Sequence, residues 1–126
     1  MIIKIPFKTP TINHLYGQNG TRKYIKPEAK KLKEKINEII IFKTDPMEAF
    51  EKRMAGNKLK VSVDIHEDWY TKTGEIKRKD ISNREKFLID SIFDALGLDD
   101  KMIFKHTMTK IQDDEEFAIV KIEELK

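Results

Sequence analysis

Leu59, Val61, Val63 and Ile65 alternate without a break with Lys60, Ser62, Asp64 and His66. Successive side chains of a strand point to opposite faces, so this run is a strand with one apolar and one polar face. The apolar face needs a cover, which commits the chain to a sheet with a second layer packed on one side. Two helical stretches can supply that layer. In the first, Pro27 suits an opening helical position and Glu28 its first turn, and Leu32, Ile36, Ile39 and Ile40 follow at helical spacing until Asp45-Pro46 breaks the pattern. In the second, Ser82-Asn83-Arg84-Glu85 has the form of a capping box with Ser82 as N-cap. Leu88, Ile89, Ile92, Phe93 and Leu96 make the apolar stripe, and Gly97 ends the helix.

The other segments read more simply. Residues 1–6 form a short strand stopped by Pro6, and residues 8–24, rich in Thr, Asn, Gly and Pro, form a long irregular segment with a turn dipeptide at Asn19-Gly20. Residues 47–54 suit a short extra helix before Gly56-Asn57. Residues 69–74 are an extended loop turning at Thr73-Gly74. Strands are expected over 103–111 and 117–123, and the 112–115 connection joins them as a hairpin that lacks the usual glycine. The order β-α-(α)-β-α-β-β predicts an α/β (α+β) fold, one domain over 1–126 with a single mixed sheet against helices.

Composition excludes several functions. There is no cysteine, so disulfides and thiolate metal sites are ruled out. The longest apolar run, residues 39–42, is far short of the roughly 20 residues a spanning helix needs, and no signal-peptide pattern is present, so a soluble cytoplasmic protein is expected. His14, His66 and His106 are scattered, and no Gly-rich phosphate loop, nucleophile elbow or dinucleotide fingerprint occurs. Charged residues are 37% of the chain, but the net charge is only +3, so their distribution matters more than their sum. Arg22, Lys23, Lys26, Lys30, Lys31, Lys33 and Lys35 crowd one segment and Lys77, Arg78, Lys79, Arg84 and Lys86 another. Such clusters neutralise backbone phosphates, although a solvated helix face gives the same pattern.

Acidic residues punctuate the second cluster. Asp80 stands just ahead of the second helix and Asp99-Asp100 just past it, and Asn83, Lys86, Asp90 and Asp94 form a polar stripe along it. Hard oxygen donors without sulfur suit Mg²⁺ or Mn²⁺, which serve phosphodiester hydrolysis. On spacing alone the same acids are ordinary loop residues, and Lys86 with Asp90 an ordinary surface pair. A helix of about 14 residues is roughly 20 Å long, so Asp80 and Asp100 meet only if the chain after Gly97 folds back along it.

The stretch Asp80-Ile81-Ser82-Asn83-Arg84-Glu85-Lys86, continuing to Asp90, Ile92 and Asp99-Asp100, resembles the Asp-x-Asp-Asn-x-x-Lys-x-x-x-Asp-x-Leu…Asp-Asp signature of the RusA-like Holliday junction resolvases. Pro10-Thr11-Ile12-Asn13-His14-Leu15-Tyr16 resembles that family's Pro-Ser-x-Asn-x-x-Tyr/Trp segment, with Tyr24 and Lys26 in the basic stretch that follows. The resemblance spans most of the chain. It implies a homodimeric endodeoxyribonuclease of recombination and repair that cuts branched DNA, the four-way junction, with Mg²⁺ or Mn²⁺ and no small-molecule cofactor or membrane partner. A host, prophage or viral source is equally compatible.

By the same resemblance, Asp80 and Asp100 bind the metal with Asp99 in support, Lys86 stabilises charge on the phosphate, and Ser82, Asn83 and Asp90 occupy supporting positions. DNA contacts fall to Asn13, Arg22, Lys23, Lys26, Lys30, Lys77, Arg78, Lys79 and Arg84. One position departs from the pattern: Ser82 stands where the family carries its second carboxylate. A neutral hydroxyl there leaves either a site completed by Asp99, Asp90, Glu85 or water, or a junction-binding dimer with weak or no cutting power. A third expectation, from charge alone, is an interaction domain whose lysines only solubilise.

Overall fold

The computed structural model describes residues 1–10, 16–19, 22–43, 56–79 and 81–125. Within them lie strand β1 (Ile2–Ile5), a small hairpin of β2 (Tyr16–Asn19) and β3 (Arg22–Ile25), helix α1 (Pro27–Lys43), β4 (Leu59–Glu67), helix α2 (Ser82–Leu96), a 3₁₀ turn (Asp100–Met102), β5 (Ile103–Gln112) and β6 (Phe117–Glu124). The expected extra helix at 47–54 falls outside the described residues.

The alternating run is the centre of the sheet. Strand order is β1-β6-β4-β5, with β5 parallel to β4 and β6 antiparallel to both β4 and β1. The mixed sheet is therefore as the sequence predicts, but the β5–β6 hairpin is not. Both strands pair with β4, one on each side, and the 113–116 connection passes over the end of β4. Two inter-strand spacings amount to about 10 Å, within reach of four extended residues. Local bonds hold that crossing: the Asp113 amide donates to the Glu67 carbonyl (3.1 Å), and Asp113 Oδ2 lies 3.0 Å from His66 Nδ1. The segment read as wholly irregular over 8–24 contains β2 and β3, registered Asn19 opposite Arg22.

Leu59, Val61, Val63 and Ile65 are sealed against Ile3, Ile5, Ala118, Val120 and Ile122 from the flanking strands, and the helices close the layer with Ala29, Ile36 and Ile40 of α1 and Phe87, Leu88, Ile92, Phe93 and Leu96 of α2. Each fully buried Leu, Ile, Val or Phe contributes about 1.5–3 kcal/mol, so this one cluster holds the sheet and both helices. The far end of α2 is as expected. Gly97 adopts φ 70°, and the Gly97 and Leu98 amides donate to the Asp94 and Phe93 carbonyls, a Schellman stop.

The start of α2 differs from expectation. Ser82 is its first helical residue, Ile81 occupies the cap with helical backbone angles, and no side chain caps it. The capping box does not form, since Ser82 already lies within the helix, and Glu85, which would fold back to the cap, stands 3.7 Å from His106.

Candidate functional site

β5 returns along α2, so the chain does fold back after Gly97. The two elements border a cleft of about 460 Å³ lined by Ser82, Glu85, Lys86, Ile89, Asp90, Asp100, Ile103 and His106. Ser82 comes from the first residue of α2 and Asp100 from beyond its last, yet both reach this one space. Asp80 and the side chain of Asn83 lie outside the described residues.

The charged groups in the cleft are differently committed. Lys86 is 60% exposed and, among the described residues, ion-paired only with Asp90 at 3.7 Å, an exposed i,i+4 pair of marginal energy that leaves its ammonium available. Glu85 is largely enclosed, and burial pushes its carboxyl above the usual carboxylate range against the opposing pull of His106 and Lys86. Asp99 is spent on local structure. Its Oδ1 accepts the Lys101 amide (2.9 Å) and caps the 3₁₀ turn that presents Asp100. Asp99, Asp100, Asp90 and Asp94 also line a neighbouring cleft of about 470 Å³, where Lys33 of α1 bonds Asp94 at 3.4 Å. Among the described residues, no three Asp, Glu or His side chains are grouped closely enough to hold a metal ion.

The basic cluster around α2 does not form one DNA-facing surface. Arg84, read from sequence as a phosphate contact, is 1% exposed and cannot reach one. Its Nη1 donates to Glu67 Oε1 and to the Thr9 carbonyl, both at 2.6 Å, and its Nη2 donates to Glu67 Oε2 at 3.1 Å. Lys79 Nζ also donates to Glu67 Oε2 (3.1 Å), and Lys110 Nζ donates to the Lys79 carbonyl (2.6 Å) while lying 4.8 Å from the Trp69 ring centroid. Lys77 sits 3.9 Å from Asp68 and Arg78 is exposed. Lys30 is exposed on α1, where with Lys33 it borders a groove toward Asp94, and Lys26 is half-buried at the helix start. Asn13 and the side chains of Arg22 and Lys23 lie outside the described residues.

Sequence reasoning missed His106 as a cleft residue and Glu67 altogether. A signal for Glu67 was available: it continues the phase of Leu59, Val61, Val63 and Ile65, so a carboxylate stands on the apolar face and needs a buried cation. Arg84 likewise shares the helical face of Phe87, Leu88 and Ser91, all buried.

A family model described as "Endodeoxyribonuclease RusA" matches residues 6–123. No curated protein matches the chain.

Proposed function

The chain belongs to the RusA endodeoxyribonuclease family, and from that premise we propose that it resolves four-way DNA junctions by metal-dependent phosphodiester hydrolysis. The observation that carries the proposal is the shared cleft of α2 and β5, where residues from both ends of the family-like motif come together beside an available lysine. The cleft is rich in carboxylates and has no sulfur, the donor chemistry that suits Mg²⁺ or Mn²⁺. We assign Asp100 and Asp80 as the metal-holding residues, with Asp99 in support through the turn it caps.

The bound cation supplies charge neutralisation and an activated water. The protein's own groups do the rest. Lys86 reaches a non-bridging phosphate oxygen and stabilises the charge that builds there. Asp90 limits the sweep of that lysine by pairing with it. Glu85, in the same cleft and held toward His106, returns the negative charge that the family carries at the Ser82 position. Lys26, Lys30 and Lys33 at and along α1, Arg78, and the basic hairpin residues Arg22 and Lys23 bind backbone phosphates, with Asn13 and Lys77 as further DNA contacts. A two-fold homodimer suits the two-fold substrate and would place two sites on opposing strands. β5, at the edge of the sheet with Phe104 and Met108 exposed, is the surface that supports pairing of two copies. The substrate places the protein in the cytoplasm with chromosomal or phage DNA, and among the described residues no helix is long and apolar enough to cross a membrane.

The test is incubation of a synthetic four-way junction with Mg²⁺ or Mn²⁺. Paired symmetric nicks, lost in Asp80→Asn and Asp100→Asn, are the expected result. Cleavage untouched by both changes would refute the site assignment. A second reading follows from Ser82 and from the lack of a three-acid cluster among the described residues: a dimer that binds junctions without cutting. It predicts salt-sensitive junction binding with no product in either metal.

A further inference from the structure

We infer that Glu67 is a positioning residue whose single buried carboxylate holds both ends of the stretch 79–84, and with it the metal-binding and supporting side chains carried between. The inference rests on the function proposed above. Lys79 immediately precedes Asp80, and Arg84 closes the first turn of α2 after Ser82 and Asn83. Both donate to Glu67, Lys79 through one bond and Arg84 through a two-pronged fork. Glu67 ends the central strand, and its own carbonyl is fixed by the Asp113 amide, so the anchor is rigid. Three further bonds restrain the same stretch: Lys110 grips the Lys79 carbonyl, and the Arg84 and Glu85 amides both donate to the Ile81 carbonyl at 3.0 and 3.2 Å. Through its third bond Arg84 also ties in the Thr9 carbonyl.

Stability alone does not call for this arrangement. Both partners of the fork are 2% exposed or less, and a well-packed apolar pair is generally as stable as a buried ion pair, or more so. An apolar pair lacks direction. The planar guanidinium meets the carboxylate in one orientation, which fixes the rotation of the first turn of α2 about its axis. A displacement of about 1 Å at reacting groups costs on the order of 100-fold in rate, so a clamp on that turn bears directly on turnover.

The test uses the full chain and two variants. Lys79→Met removes one limb from a partly exposed position, and Glu67→Met combined with Arg84→Met replaces the fork by an apolar pair. Each is read by thermal unfolding, by amide hydrogen exchange at residues 81–84, by Mn²⁺ titration without DNA, and by kcat and KM on a four-way junction. Both variants should stay folded, exchange faster at 81–84, and bind Mn²⁺ about 10- to 100-fold more weakly, with kcat falling by a similar factor and KM nearly unchanged. Folded variants with parental exchange, Mn²⁺ affinity and kcat would overturn the inference. Should the apolar pair fail to fold, Lys79→Met alone decides by the same readouts. A parent chain that neither cuts nor takes up Mn²⁺ refutes the proposed function instead, and exchange at 81–84 then decides whether Glu67 holds the stretch.

Discussion

Ser82 and Asp100 stand at opposite ends of α2 in the sequence yet line the same cleft, because β5 doubles back along the helix. Their pairing makes the serine informative. If the cleft is a cation site that is one carboxylate short, Ser82→Asp should raise junction cleavage about 10-fold or more and tighten Mn²⁺ binding in calorimetry. Unchanged cleavage and affinity would mean that Glu85 already meets the need.

Lys86 is exposed and only loosely paired with Asp90. Lys86→Met is expected to lower kcat by about 100-fold, the scale on which one electrostatic stabiliser is felt, with the melting temperature unmoved. Single-turnover cleavage and a thermal melt measure both. A comparable loss in Asp90→Asn would assign the effect to the pair and not to the ammonium.

The Glu67–Arg84 fork has a stability consequence separate from its role in positioning. Arg84→Met alone leaves a buried carboxylate with Lys79 as its remaining cation among the described residues, and the expected cost is about 3–5 kcal/mol in urea unfolding. The apolar pair made by changing both residues should cost much less. Such non-additivity is what a double-mutant cycle reports for groups in contact.

Acid stability should depend on Asp113. The Glu115 amide first, and the His66 ring second, hold its carboxyl below the ordinary 3.8. A depressed folded-state value means that the stabilisation is fully present above 3.8 and is lost as pH falls through the lower value. Asp113→Asn should therefore flatten the acid limb of a melting-temperature profile. Glu85 has the opposite sign. Burial raises it above 4.5, so its contribution is lost as pH rises through the raised value, and Glu85→Gln should melt higher than the parent at pH 8 while cutting less.

Salt should separate the lysines by role. Each phosphate contact adds about 0.9 to the slope of log affinity against log salt, so Lys30→Ala and Lys33→Ala should each lower the slope for junction binding by about that amount. Arg78→Ala should do the same. An unchanged slope in all three would remove α1 and the 77–79 segment from the DNA surface.

Local regularity made much of this fold legible. The alternation at 59–66, the apolar stripe of α2 and the stop at Gly97 each report a neighbourhood that the sequence itself defines, and each is in place. What was misread depended on partners far along the chain. The 112–115 connection suggested a hairpin because neighbouring strands usually pair, but β4 takes the position between them. Arg84 was placed on the surface because charge counts carry no information about Glu67, which meets it from the end of another strand. The cleft itself was half legible. Asp100, at its far end, is marked by the family resemblance, whereas His106 has no motif to mark it and arrives only through the parallel register of β5 with β4.

The pairing of β1 with β6 sets Ile3 opposite Val120, so among the described residues β1 finds its only sheet neighbour in β6, more than a hundred positions along the chain. Until that distant strand is made, Ile3 and Ile5 have no strand among the described residues to zip against. The loop to be closed runs from Ile5 to Ala118, a separation associated with slow, late-committing folding. A chain interrupted before β6 would lack the strand that joins β1 to the centre of the sheet, however well α2 and its cleft had formed.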